Sequence, residues 1–80
     1  MNITVLLFGI ATDLIGNSSL EVALPINCSV SHFKELLVKQ HTELKSMSSF
    51  AVAINESYAK DDIIIKENST IAIIPPVSGG

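Results

Sequence analysis

The chain has 80 residues, a net charge of −3 and no arginine. That length fits one small domain, burying only about 60–65% of its unfolded surface, which leaves no room for a deep substrate cleft. The acidic balance excludes binding to nucleic-acid phosphates, which depends on clustered lysine and arginine.

From the N-terminus, residues 2–8 (NITVLLF) alternate: Ile3, Val5 and Leu7 share one face, while Thr4, Leu6 and Phe8 share the other. This is strand spacing with β-branched support. The run is too short, and too poor in preceding basic residues, for a secretory signal. No apolar stretch reaches the ~18 residues of a membrane span. A cytosolic protein is expected, and the five Asn-x-Ser/Thr triplets then carry no glycosylation meaning. GNSS (16–19) reads as a turn, and LEVALP (20–25) as a second strand closed by Pro25. A loop of some ten residues joins the two strands as an antiparallel hairpin.

CSVSHFKELLVKQH follows, with Val30, Phe33, Leu36 and Leu37 at helical spacing. Ser29 is placed to cap this helix, and Cys28 to pack against Phe33 as a hydrophobic staple. A lone cysteine forms no internal disulfide, which fits a reducing compartment. His32 and His41 belong on the solvated face, with no third ligand to make a metal site. TELKSMSS reads as an irregular connector and FAVAI (50–54) as a strand. A short extended piece is expected around Tyr58. Asp61 and Asp62 sit side by side before an apolar run, where a turn accounts for them better than an acid–base pair. TIAII (70–74) is the last strand.

The elements describe an α+β domain over residues 1–74, with four to five strands and one main helix on one face of the sheet. One helix covers only one face. Yet if Val5, Leu7, Val52, Ile54, Ile71 and Ile73 face it, then Leu6, Phe8, Ala53, Ala72 and Ile74 point away. Hydrophobic residues make up 48% of the chain, with a mean hydropathy of +0.46. The surplus is expected on that second face, as a protein–protein surface.

Residues 75–80 (PPVSGG) form a separate flexible tail. Pro75 and Pro76 lack N–H donors and favour extended geometry, so they end the ladder and launch the chain outward. Fully extended, the six residues reach roughly 20 Å. Val77 and Ser78 are followed by Gly79 and Gly80, which have no Cβ, so the end can thread a narrow channel. A terminal carboxylate, with a pKa near ~3.5, is an anion and a poor electrophile. It enters acyl chemistry only after activation, for example as an acyl-adenylate. The chain has neither a P-loop nor a GxGxxG motif, so another protein must supply the ATP site.

VLLFGIATDLIG, AVAINESY and above all IAIIPPVSGG resemble the small, sulfur-carrier subunits of molybdopterin synthase, nearly end to end. The resemblance implies a ubiquitin-like β-grasp fold with a mixed sheet. It further implies that a ubiquitin-activating-type adenylyltransferase, using ATP, adenylates Gly80, that a sulfur donor protein converts it to a thiocarboxylate, and that the loaded tail enters the large subunit. There it delivers sulfur to cyclic pyranopterin monophosphate, within a heterotetramer of two small and two large subunits. The chain itself would bind no cofactor and no metal, and would not be catalytic alone. By position, Phe8, Tyr58 and Ile74 match the family's hydrophobic partner contacts.

Two loops depart from the family's usual pattern: Thr12-Asp13-Leu14 stands for Arg-Glu-Leu, and Asn68-Ser69 for a Gly-Asp turn. Three other readings compete: a carrier serving thiamine thiazole synthesis, which typically lacks the Pro-Pro-Val-Ser/Thr segment; a ubiquitin-like modifier joined to target lysines; and an interaction module with an inert tail.

Overall fold

In a computed structural model, residues 1–47 and 49–75 are described. The alternating segments form β1 (Asn2–Leu7) and β2 (Ser19–Ala23), and the helical stripe forms α2 (Val30–Gln40). These are followed by β3 (Ala51–Ile54), β4 (Ser57–Tyr58) and β5 (Thr70–Ile74). The sheet order is β2-β1-β5-β3-β4. β1 runs parallel to β5 at the centre, and the other pairs are antiparallel, so the sheet is mixed as expected.

The helix-facing parity holds. Ile3, Val5, Leu7, Val52, Ile71 and Ile73 join Val30, Phe33 and Leu37 of α2 in one buried cluster, with Ile54 half-buried against it. Ser29 caps α2 through its hydroxyl, which accepts from the His32 N–H at 3.1 Å. Two further first-turn donors, the N–H groups of Val30 and Ser31, are taken up by the carbonyls of Ile63 (2.9 Å) and Asp61 (3.0 Å). These are donors that a helix start otherwise leaves unsatisfied. The Asp61 carboxylate pairs with Lys34 at 2.8 Å. An exposed pair of this kind contributes at most about 1 kcal/mol.

Two stretches expected to be irregular are helical. The β1–β2 connection carries α1 (Ile10–Ile15). Ala11 is fully buried, and Leu14 and Ile15 pack against the core. Gly16, at φ 86°, ends it in the left-handed conformation, its N–H donating to the Thr12 carbonyl. The connector after α2 folds as a 3-10 helix over Thr42–Ser46, because burying Leu44 and Met47 draws it onto the core.

Three sharp corners rest on asparagine rather than glycine: Asn27, Asn55 and Asn68 all have positive φ. Asn68, at φ 63°, occupies the departing Asn68-Ser69 loop. Asparagine tolerates this conformation through its short polar side chain, so the chain turns there without glycine. Between β3 and β4, both Asn55 (φ 49°) and Glu56 (φ 72°) are left-handed, the combination a type I′ hairpin turn requires. Asn55 is anchored twice, its side chain accepting from the Thr70 N–H and its own N–H donating to the Thr70 carbonyl, each at 2.9 Å. Glu56 carries a Cβ where glycine is preferred. Glu56→Gly is therefore expected to stabilise the domain by about 0.5–1 kcal/mol, read as a rise of a few degrees in melting temperature by circular dichroism.

Candidate functional site

The face of the sheet turned away from α2 bears the residues that parity assigns to it. Register places Leu6 beside Ala72, Ala72 beside Ala53, and Ala53 beside Tyr58. One row across four strands thus reads large, small, small, large. Two alanines at the centre cannot fill the space between Leu6 and Tyr58, so the row is a trough. Phe8 and Ile74 add bulk at one end; Asn55, Glu56 and Thr70 line it with polar atoms. The recess measures about 430 Å³.

Phe8 is 50% exposed and Tyr58 75%, while Leu6, Ala72 and Ile74 are half-buried and Ala53 is buried. Leaving an aromatic ring half in water forgoes on the order of 1–2 kcal/mol of burial. The three residues assigned by resemblance, Phe8, Tyr58 and Ile74, thus lie around one recess. Sequence reasoning missed its polar lining, because it depends on the β3–β4 turn and on the start of β5.

Strand β5 supplies Ala72 and Ile74 to the trough and leads directly into Pro75. Pro75 is half-buried, and its ring lies over Gly9: a Cβ placed on Gly9 would sit 3.5 Å from the Pro75 Cγ. Gly9 has φ 55° and ψ −134°, a backbone region open in practice only to glycine. The turn after β1 and the end of β5 therefore meet at this point. The remaining tail positions, Pro76, Val77, Ser78, Gly79 and Gly80, lie outside the described residues.

Cys28 is buried in the core cluster together with Phe33, consistent with a packing role. Desolvation by burial pushes its thiol pKa up, and its Sγ donates to the Ser29 carbonyl at 3.4 Å. A thiol held protonated and shielded from solvent is a poor nucleophile. Asp61 and Asp62 fall in a turn, and Asp61 is engaged by Lys34. His32 is exposed and His41 half-buried. Among the described residues, no three His, Cys, Asp or Glu side chains gather as a metal site, and no helix is long and apolar enough to cross a membrane.

The mixed five-stranded sheet with one main helix on one face defines a ubiquitin-like β-grasp protein. SAMP1 from Haloferax volcanii superposes with a TM-score of 0.85 at 22% identity, each chain covered in full. In the complex of subunits 1 and 2 of molybdopterin-converting factor from Helicobacter pylori, a chain matches with a TM-score of 0.69 at 21% identity, again with full coverage of both. The chain belongs to the ThiS family, whose model matches residues 5–80. The molybdopterin synthase sulfur carrier subunit of Arabidopsis thaliana is 36% identical over 81 residues, covering 100% of this chain and 84% of that protein.

Proposed function

We propose that this chain is the sulfur carrier of a molybdopterin synthase, acting through a thiocarboxylate on Gly80. Its relatives' names and the PPVSGG segment support this reading. The single observation that carries it is the continuity between the apolar trough and β5. A partner that grips Ala72 and Ile74 holds the strand from which the tail departs. Docking and delivery are then one event, because the five residues beyond Pro75 span at most about 17 Å from a fixed point.

The chemistry proceeds in balanced steps. A ubiquitin-activating-type adenylyltransferase joins the Gly80 carboxylate to AMP from ATP, releasing pyrophosphate. The terminal sulfur of a donor protein's persulfide then attacks the acyl carbon and AMP leaves, giving an acyl disulfide. A second thiol reduces its S–S bond, becoming a disulfide with the donor cysteine, and frees the thiocarboxylate. Sulfur is softer and more polarisable than oxygen, so the loaded terminus is the better nucleophile near neutral pH. Its sulfur attacks a side-chain carbon of cyclic pyranopterin monophosphate in the large subunit, displacing the oxygen substituent there. Water cleaves the resulting thioester, leaving the sulfur on the pterin and returning Gly80 as a carboxylate. Two such rounds supply the two sulfurs of the dithiolene, which fits a heterotetramer with two small subunits. The chain contributes reach, docking and the carboxylate; its partners contribute catalysis, in the cytosol.

Intact mass spectrometry tests this. After incubation with the adenylyltransferase, ATP and a sulfur source, the mass is expected to rise by the difference between sulfur and oxygen. Adducts on lysines of other proteins would instead identify a modifier, and an unchanged mass an inert tail. Thiocarboxylate formation without molybdopterin production in the presence of the large subunit would redirect the assignment to another sulfur-carrying route.

A further inference from the structure

A second recess, of about 290 Å³, lies on the far side of Tyr58. It is bounded by the edge strand β4 and the segment that follows it, with Ile54, Ala59, Ile63, Ile64 and Lys66 among its lining. Ile63 and Ile64 are 44% and 46% exposed, although both are large and β-branched. Neither side chain belongs to the buried core cluster. Main-chain bonds hold the segment: the Ile63 carbonyl accepts from Val30 at 2.9 Å, and the Ile65 N–H donates to the Cys28 carbonyl at 2.8 Å. Ile65 alone goes into the core, at 2% exposure. Two isoleucines are therefore left nearly half exposed on a backbone fixed from behind, a surface already ordered for contact.

Tyr58 lines both recesses. A partner that covers the trough must bury this ring, and in doing so reaches the lip of the second recess. Size points the same way. A stable interface draws on about 20 residues a side, whereas nine line the trough and the threading tail beyond Pro75 adds only five. From this continuity we infer that the partner interface wraps around the β4 edge onto Ile63 and Ile64, and that the synthase large subunit occupies both recesses. Among the described residues, Lys66 is the one charged side chain lining the second recess. The occupying segment is thus an apolar side chain flanked by a carboxylate. The partner's identity rests on the proposed function; the extent of the surface rests on the geometry.

The test measures calorimetric affinity of the full chain for the molybdopterin synthase large subunit from the same organism. The double variant Ile63→Ser/Ile64→Ser alters no backbone donor or acceptor of the segment, and a cooperative thermal melt with a wild-type circular-dichroism spectrum verifies its fold. It is expected to bind about tenfold more weakly or worse, with Phe8→Asp as the reference for the trough. Loss of affinity in Phe8→Asp but not in the double variant overturns the extension and leaves the functional reading standing. Wild-type affinity in both overturns the docking reading along with it. Self-association of the free chain, abolished by the double variant while large-subunit affinity is kept, assigns the patch to a second copy and likewise overturns the inference.

Discussion

Deleting Gly80, or replacing Gly79 with phenylalanine, is expected to abolish sulfur transfer while leaving the folded domain intact. Removing one residue shortens an extended tail by about 3.5 Å. A misplacement of only about 1 Å at a reacting centre can already cost on the order of a hundredfold. A phenylalanine at 79 adds a bulky ring where a narrow channel has to close around the chain. The core cluster is drawn from residues 3–73 among those described, so neither change removes a buried contact within it. Molybdopterin production from purified, activated components, beside a thermal melt, measures both halves. Unimpaired production by either variant would refute threading as the mode of delivery.

Phe8→Asp and Ile74→Asp are expected to cost the second-largest effect, at the docking step. Each places a carboxylate against the trough, where partner burial would strip it of water beside Leu6 and Ala72. Losing the apolar contact and desolvating a charge together weaken binding by about 2 kcal/mol or more, some thirtyfold. Phe8 is half exposed and lies beyond the end of β1, so its replacement leaves the domain's own packing largely untouched. Titration calorimetry with the large subunit reads the change. An unaltered dissociation constant for both variants would mean that the other side of the molecule makes the contact.

How far these features can be read along the chain depends on the range of the forces behind them. The cap of α2 is local: Ser29 and the apolar stripe behind it lie within one helix, and the structure keeps both. The two short helices are not legible in the sequence, for the opposite reason. Six residues of Ile10–Ile15 carry little helical signal of their own, and the segment is held by burial of Ala11 against distant strands. Gly16, read in sequence as part of the GNSS turn, is in the structure the left-handed cap that ends this helix. KDDIII looked like an apolar run, yet only Ile65 goes inward, because main-chain bonds to Cys28 and Val30 set how the segment lies against α2.

The trough shows the same division. Alternation along each strand is enough to put Leu6, Phe8, Ala53, Ala72 and Ile74 on a common side, since successive side chains point oppositely. Alternation says nothing about which strands are neighbours. That Leu6 stands beside Ala72, and Ala72 beside Ala53, follows from the parallel β1–β5 pairing and the antiparallel β3–β5 register. The PPVSGG segment, the missing nucleotide-binding motif and the spare apolar side of the sheet are all properties of residue order, because each depends on neighbours in the chain. The hollow between Leu6 and Tyr58, and its union with the strand that carries the tail, exist only once remote strands have settled their pairing, since pairing is fixed by the shared core and not by any one segment.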